Sequence, residues 1–273
     1  MEKIGKKKKK KTTVTDIILV LICIIALSIA AFAGYRLFSI FMEYKAGADE
    51  YSQITDSVVK ERDADAEEVQ KLKNSEGKEE KHWNSPLEID FQELKNINED
   101  VAGWIYMEAL PDISYPIVKG DDNDFYLHHT YKKESLFSGS IFMDMKNTKD
   151  FSDQNTIIYG HNMKDGSMFG TLKDYKKEEI KNKSPYFWII TEKEAYKYQI
   201  FAIYTADVDG DTYTLIQGPG KETIRYGEAM EKKSEVTVKA HKFKATDKIV
   251  TLSTCTGDTS TRFVVQGVMV YPE

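Results

Sequence analysis

The feature that most constrains this chain is a charge-free apolar run near its start. Residues 17–35 read IILVLICIIALSIAAFAGY. An α-helix rises ~1.5 Å per residue, so these nineteen residues make about 29 Å of helix, close to the ~30 Å hydrocarbon core of a bilayer. Seven of the first eleven residues are lysine, and positively charged flanks tend to stay on the cytoplasmic side. The sequence therefore predicts a cytoplasmic basic tail over 1–16 and a transmembrane anchor over 17–42.

The alternative for this run is a secretory signal peptide that is cleaved. The small residues at 31–33, AFA, fit a cleavage site, and a charged segment precedes the apolar run. The run is long for a signal peptide, however, and its apolar character resumes after Arg36 as LFSIFM, which favours a retained anchor. Both interpretations export the rest of the chain, which is acidic, since the whole chain has a net charge of −6 despite its basic start.

Residues 43–82 are rich in charge and poor in large apolar side chains. Tyr51, Ile54, Val58 and Val69 are spaced so that they could line one side of a helix, whereas residues 74–81, NSEGKEEK, have no pattern. We expect a solvated extracytoplasmic stalk here rather than a coiled coil that binds a partner. The acidic exported part has no basic patch, so nucleic acid is not an expected partner.

The composition changes at Trp83. From there on, runs rich in Val, Ile, Tyr, Phe and Thr alternate with Asp, Asn, Gly and Lys, which is typical of strands and turns. Eight strands in ~190 residues predict one closed or nearly closed β-barrel with helical insertions. Helices are expected at 90–98, 168–177 and 221–233. The predicted strands are 103–107, 113–119, 139–144, 155–160, 186–191, 196–206, 248–255 and 262–270.

Two cysteines are present, Cys23 inside the apolar run and Cys255 near the C-terminus. They cannot pair with each other in a folded exported domain. An odd exported thiol is reactive, paired between molecules, or buried and inert. Cys255 ends an apolar run and is followed by the polar residues of TGDTST, a context that suits exposure at the rim of a barrel.

A nucleophilic thiol needs a group that manages its proton and a donor for the developing oxyanion. His161 follows the apolar run NTIIY and opens a polar loop, so a sheet would hold it at a solvent-facing edge. Arg262 opens the strand after the Cys255 loop, and its five fixed donors suit a carbonyl oxygen that becomes negative. Spacing alone leaves open an ordinary loop histidine and a surface ion pair for the arginine.

The order His, Cys, Arg on three separate strand ends resembles the sortases. TLSTC followed by RFVV is similar to the active-site strand pair of that family, and NTIIYGHNM is similar to its histidine strand. VAGWIYM, ISYPIVKGDDNDFYL and SGSIFMD, together with a helix inserted before the cysteine strand, resemble class B sortases in particular. The resemblance covers about residues 83–273 and implies a sortase-type eight-stranded β-barrel with an N-terminal helix as the catalytic domain.

The resemblance also implies an activity, cell-wall anchoring by a membrane-bound transpeptidase of a Gram-positive bacterium. Cys255 would attack the carbonyl of a threonine in a sorting signal and form a thioester. His161 would protonate the leaving amine and deprotonate the incoming one, and Arg262 would hold the carbonyl oxygen or the peptide backbone. The acceptor would be an amino group of a peptidoglycan precursor. No metal or cofactor is required, since a thiolate is both nucleophile and leaving group.

Four further residues are expected to contact the sorting signal. Ser253 should share a strand face with Cys255, because side chains alternate along a strand; a serine that bonds neighbouring backbone remains open. Asn123 and Leu127 match signal-contacting positions of class B enzymes, and Tyr213 is expected to form another wall of the pocket. The signal itself, NPQTN-like or SPxTG-like, is not determined by these residues.

Three other classes fit the sequence less well. A papain-like cysteine protease normally has its cysteine early and its histidine late, the reverse of the order here. An L,D-transpeptidase would have an SHGC-like site, which LSTC is not. A non-catalytic membrane-anchored adhesion or scaffold domain would require Cys255, His161 and Arg262 to coincide by chance.

Overall fold

A computed structural model describes residues 13–63, 67–73 and 78–272. Most of the predicted basic tail, residues 1–12, lies outside them. The first helix, α1 (Val14–Val58), begins with a reciprocal cap: the backbone N–H of Thr13 donates to the Asp16 carboxylate, and the N–H of Asp16 donates to the Thr13 hydroxyl. Within the described residues, α1 is the one helix long and apolar enough to cross a bilayer. Residues 13–45 form one compact unit, and a second unit runs from Ala46.

The second unit begins with the last turns of α1 and differs there from the predicted stalk over 43–82. Tyr51, Ile54 and Val58 are buried in it. Short strands follow in the charged segment. They are β1 (Val59–Glu61), β2 (Val69–Lys73) and β3 (Glu79–Trp83), after which β4 (Leu87–Ile89) pairs antiparallel with β1, and β2 pairs antiparallel with β3.

The remaining elements form a closed eight-stranded β-barrel, which confirms the predicted fold class and all eight predicted strands. Its strands follow the order β12-β11-β8-β7-β6-β5-β9-β10, and pairing of β10 with β12 closes the ring. β3 adds to it through one bridge to β10. The elements are α2 (Phe91–Ile97), β5 (Val101–Met107), β6 (Ser114–Val118), β7 (Ile141–Met143), β8 (Asn155–Tyr159), α3 (Glu178–Lys181), β9 (Tyr186–Ile190), β10 (Ala195–Asp207), α4 (Lys221–Lys233), β11 (Ile249–Cys255) and β12 (Thr261–Val270).

Two of the three helices expected in this unit form where the sequence places them, α2 and α4. The third, expected over 168–177, is instead a 3₁₀ turn over Leu172–Lys176 followed by the four-residue α3. Met168 has a φ of +54°, and a Cβ at Gly170 would lie 2.4 Å from the carbonyl oxygen of Met163. The chain therefore makes a tight turn at these residues and cannot begin a helix there.

Helix α4, which follows β10 in the chain, packs against β10. Its buried residues, among them Tyr226 and Met230, recur at helical spacing and face Phe201 and Val264. Gly227 allows the close approach, since a Cβ there would lie 2.2 Å from the ring of Phe243. The insertion before the cysteine strand is thus part of the hydrophobic core.

One parallel pairing determines where the polar strand ends meet. β8 runs parallel to β11, with Tyr159 opposite Ser253, and β11 runs antiparallel to β12. The carboxyl ends of β8 and β11 and the start of β12 therefore lie at the same edge of the barrel.

Candidate active site

Three reactive side chains converge at this edge of the barrel. Cys255 is the last residue of β11 and lies directly opposite Arg262 in the antiparallel register. Side chains of such a pair project from the same face with their Cβ atoms about 5 Å apart. His161 lies two residues beyond the end of β8, and the N–H of the intervening Gly160 donates to the Ser253 carbonyl at 3.1 Å. The parallel pairing therefore brings a histidine ninety-four residues away to the same edge as the cysteine.

The three residues line a cleft of about 320 Å³. Three of the four residues expected to contact the sorting signal, Asn123, Leu127 and Ser253, line it as well. The fourth, Tyr213, lies behind Ser253, and their hydroxyl oxygens are 2.9 Å apart. All seven residues singled out in the sequence are therefore in or next to one cleft.

A backbone carbonyl orients the His161 imidazole. Its Nε2 lies 2.7 Å from the carbonyl oxygen of Leu127. A carbonyl only accepts hydrogen bonds, so Nε2 carries the proton in the neutral ring and Nδ1 is the basic nitrogen. The Phe137 ring stacks on the imidazole, with centroids 5.8 Å apart. Burial lowers the pKa of His161 below its ordinary value; the bond to Leu127 partly opposes this, and the nearby His128 adds to it.

Cys255 is a free, half-buried thiol at the end of its strand. The side-chain amide of Asn162 donates to the Cys255 carbonyl at 2.7 Å, which ties the strand end to the loop after β8. The backbone of the cysteine is therefore fixed, while its side chain opens into the cleft.

The loop between β11 and β12 holds the Arg262 guanidinium. Its Nη1 donates to the carbonyls of Thr259 at 3.1 Å and Thr261 at 2.8 Å. Since a guanidinium has five N–H donors in a rigid plane, these bonds orient the group while other donors face the cleft that Arg262 lines.

Tyr159 lines the cleft, whereas Tyr213, expected to form another wall of the pocket, lies next to it without lining it. Tyr213 lies in a 3₁₀ turn after β10, and its ring stacks on Tyr159 with centroids 6.4 Å apart. Burial, the largest effect, raises the pKa of the Tyr213 hydroxyl, so this group is a neutral hydrogen-bonding group at physiological pH.

Sequence reasoning missed a buried carboxylate behind the cleft. Asp144 Oδ2 accepts from Asn123 Nδ2 at 2.8 Å and from the Tyr159 hydroxyl at 3.0 Å. The backbone N–H of Met145 in turn donates to Asn123 Oδ1 at 2.8 Å. An acidic residue directly after the apolar strand GSIFM was the available signal. Asp144 orients two cleft residues that are distant from each other in sequence.

Metal ligation finds no support in the part of the chain that the structure describes. Within residues 13–63, 67–73 and 78–272, no three His, Cys, Asp or Glu side chains are grouped so that they could hold a metal ion. The reactive side chains that line the cleft are a thiol, an imidazole and a guanidinium.

Comparison with known proteins agrees with this geometry. The family model of the sortase domain matches residues 105–270. Sortase B of Listeria monocytogenes is 38% identical over 192 residues, which are 68% of this chain and 76% of that protein. Sortase B of Staphylococcus aureus is 28% identical over 250 residues, 90% of this chain and 94% of that one.

Solved structures agree as well. The crystal structure of sortase B from Bacillus anthracis in complex with AAEK1 has a TM-score of 0.67 at 32% identity and covers 85% of this chain and 100% of that one. Sortase B of Clostridium perfringens has a TM-score of 0.61 at 36% identity, with coverage of 66% and 100%.

The fold, the residues of the cleft and the comparisons with known proteins all lead to the same conclusion. They do not favour the two alternatives, a cysteine protease of another family and a non-catalytic scaffold domain. The activity is that of a cysteine transpeptidase that acts on sorting-signal substrates and anchors proteins to the cell wall. The apolar helix α1 is a candidate membrane anchor, consistent with a cell-surface enzyme. The chain belongs to the sortase family, and within it to class B.

Proposed function

We propose that Cys255, His161 and Arg262 are the catalytic residues of this transpeptidase. The single observation that supports this most strongly is the cross-strand pair of Cys255 and Arg262 with His161 beyond the adjacent parallel strand, all on one cleft. A thiol, a proton carrier and a fixed cation are the groups that acyl transfer to an amine requires.

In the first half-reaction the Cys255 sulfur attacks the carbonyl carbon of a threonine in the sorting signal. Arg262 donates hydrogen bonds to the oxygen that becomes negative, and donors fixed in advance stabilise it at no cost of reorganisation. His161 takes the thiol proton at Nδ1 as the sulfur attacks, and it gives that proton to the leaving amine as the C–N bond breaks. The products are a thioester on Cys255 and the released C-terminal peptide.

In the second half-reaction an amino group of a peptidoglycan precursor attacks the thioester. The imidazole of His161 takes the proton of the attacking amine at Nδ1, since Nε2 is held by Leu127. The thiolate of Cys255 leaves and takes this proton back from His161, and a new amide bond replaces the thioester. The exported protein is then attached to the precursor, and the enzyme returns to its starting state.

The cleft walls suggest how the signal is held. Asn123, Leu127 and Ser253 line the cleft, and Tyr213 supports Ser253 from behind. We assign these four residues to the binding of an NPQTN-like or SPxTG-like peptide. Polar atoms of Asn123 and Ser253 are suited to the peptide backbone, and Leu127 to an apolar side chain.

The decisive experiment incubates the full-length chain, purified in detergent, with a library of quenched sorting-signal peptides. We expect cleavage after threonine and a thioester adduct detected by mass spectrometry. Cys255→Ala should abolish both, and Arg262→Gln should lower kcat by about 10²–10³-fold, as loss of an oxyanion donor does. Unchanged cleavage by Cys255→Ala would contradict the mechanism.

A second measurement separates transfer from hydrolysis. Oligoglycine, diaminopimelate and unrelated amines are added as acceptors, and the ratio of amide product to free acid is measured. A true acceptor raises this ratio without changing thioester formation. Hydrolysis alone with every amine tested would contradict the transfer step.

We also propose that residues 17–42 span the membrane with residues 1–16 in the cytoplasm and the catalytic domain outside. The lysines before the apolar run support this orientation. In intact cells, a membrane-impermeant maleimide should label Cys255 in a Cys23→Ala background. A cysteine introduced by Thr12→Cys in a Cys255→Ala, Cys23→Ala chain should be labelled only after lysis, and the reverse pattern would overturn the orientation.

A further inference from the structure

The carbonyl that holds His161 is itself in close contact with a tight turn, residues 136–140. In this turn Gly139 has a φ of +54°. A Cβ at Gly139 would lie 2.5 Å from the carbonyl oxygen of Leu127, the oxygen that lies 2.7 Å from His161 Nε2. The backbone of Gly139 and the Leu127 carbonyl therefore cannot move independently.

Hydrogen bonds tie the same turn to the segment that contains Leu127. The N–H of Ser140 donates to the Tyr126 carbonyl at 2.9 Å, and the N–H of Leu136 donates to the His128 carbonyl at 3.0 Å. The turn also contains Phe137, whose ring stacks on the imidazole of His161. The position of this turn therefore determines two contacts of His161. One is the hydrogen bond to the Leu127 carbonyl and the other is the stacking of Phe137.

The extramembrane end of α1 holds the turn from the other side. The Tyr51 hydroxyl donates to the Gly139 carbonyl at 2.7 Å and lies 3.3 Å from the Ser140 hydroxyl. Tyr51 is 5% exposed, and its ring packs on Tyr115 and Tyr131 with centroids 5.4 and 5.5 Å away. One helical turn earlier, a Cβ on Gly47 would lie 3.0 Å from the Ser138 hydroxyl.

We propose that Tyr51 is a positioning residue for His161 and that the segment next to the apolar span belongs to the catalytic apparatus. This rests on the role proposed above for His161. Tyr51 fixes the Gly139 carbonyl, the turn fixes the Leu127 carbonyl, and that carbonyl fixes the imidazole and its Nε2–H tautomer. The effect is on proton transfer and not on binding of the signal, because Tyr51 lies outside the cleft.

Two variants disturb this chain of contacts to different extents. Tyr51→Phe keeps the packed ring and removes the hydroxyl, so we expect kcat for peptide cleavage to fall about 3–10-fold with KM within twofold, by the loss of one buried hydrogen bond. Gly139→Ala forces the Leu127 carbonyl to move, and we expect kcat to fall about 100-fold, as a misplacement of about 1 Å does.

The experiment measures kcat and KM for the full-length chain in detergent, together with the ring ¹⁵N signals of histidine-labelled protein. His161 is assigned by its loss in His161→Gln. In the wild type we expect the Nε2–H tautomer, and in both variants a mixture with the Nδ1–H form. The matched control is Ile189→Val on β9, which removes one buried methylene away from the turn; it should leave kcat and the tautomer unchanged.

The outcomes separate this inference from the function on which it rests. If His161→Gln keeps full kcat, the role of His161 is wrong whatever Tyr51 does. If His161→Gln is inactive but Tyr51→Phe has the wild-type kcat and tautomer, Tyr51 is not a positioning residue. An effect of Gly139→Ala alone would place the support in the turn and likewise overturn the part assigned to α1.

Discussion

The imidazole of His161 is oriented by a neutral carbonyl and not by a carboxylate. A carboxylate would favour the charged imidazolium, whereas the Leu127 oxygen fixes the tautomer with much less effect on charge. Burial then dominates and lowers the pKa of His161, and the Phe137 ring is stacked on the imidazole. At neutral pH in the free enzyme this keeps Nδ1 available to accept a proton.

Removing the aromatic cover should reverse this shift. Phe137→Ala admits water to the ring face, and we expect the pKa of His161 to rise toward its ordinary value near 6.5, because hydration stabilises the imidazolium. The measurement is a ¹³C-histidine NMR titration of both proteins, with Phe201→Leu in the distant core as a control. An unchanged or lower midpoint in Phe137→Ala would show that Phe137 does not contribute to the burial.

The same shift has a consequence for stability. Because the folded-state pKa of His161 is lowered, the unfolded chain binds a proton first as the pH falls below about 6.5, so the contribution of the neutral histidine to stability decreases. The decrease ends below the folded-state pKa, where both states are protonated. As the pH falls from about 6.5 to the folded-state pKa of His161, the free energy of unfolding should therefore decrease less in Phe137→Ala than in the wild type. Urea unfolding at several pH values would measure this difference.

At the scale of elements, a buried hydrogen-bond network connects helix α4 to the turn that contains Tyr213, next to the cleft. The Tyr226 hydroxyl donates to the Thr212 carbonyl at 2.6 Å and accepts from Asn155 Nδ2 at 3.0 Å. Asn155 Nδ2 also donates to the Thr214 carbonyl at 2.8 Å. The carbonyls on both sides of Tyr213 are thus held from inside the protein.

Loss of the Tyr226 hydroxyl should make the turn that contains Tyr213 more mobile. In Tyr226→Phe the Thr212 carbonyl loses its donor, so we expect KM for the sorting peptide to rise about fivefold, equivalent to one hydrogen bond, with kcat nearly unchanged. If the effect passes through Tyr213, it should disappear in a Tyr213→Phe background. Phe243→Leu, which loosens the packing around α4 without removing a hydrogen bond of this network, is the control. Additive effects in the double variant would contradict the proposed coupling.

The elements differ in how far sequence could predict them. Barrel strands are encoded locally, by β-branched and aromatic runs between turn residues, so the eight strands were predicted correctly. The end of α1 was not, although the spacing of Tyr51, Ile54 and Val58 was visible, because their burial depends on contacts with residues about ninety positions away. A local charge count cannot show that a charged segment has one side covered by a distant turn.

The site shows the same division between local and distant signals. Cys255 is the last residue of β11 and Arg262 lies at the start of β12. A short loop joins the two strands, so the proximity of these residues follows from local sequence. His161 joins them only through the parallel pairing of β8 with β11. The family resemblance indicated that His161 belongs to the site, whereas spacing alone did not. Asp144 was missed because its partners, Asn123 and Tyr159, come from two other segments.

At the scale of the whole molecule, the barrel is closed by β10 and β12, and the β2–β3 hairpin is attached outside that ring. The ammonium group of Lys197 contacts both the barrel and the hairpin. Lys197 on β10 is 7% exposed, and its Nζ lies 4.6 Å from the ring centroid of Tyr186, 5.0 Å from that of Trp83 and 5.1 Å from that of Trp188. The carboxylate of Glu108 lies 3.9 Å away.

Lys197 should therefore stabilise the attachment of the hairpin without affecting catalysis. Lys197→Met keeps the apolar stem and removes the charge, so the cation–π attraction, about 2 kcal/mol at a desolvated site, is lost. We expect a lower free energy of unfolding and faster proteolysis within residues 67–83, with kcat and KM unchanged because the cleft lies at another edge of the barrel. Lys197→Arg, which keeps a cation over the rings, is the matched control and should stay closer to the wild type. Wild-type stability and protease resistance in Lys197→Met would show that packing of Trp83 on Trp188, with ring centroids 6.2 Å apart, is sufficient to hold the hairpin in place.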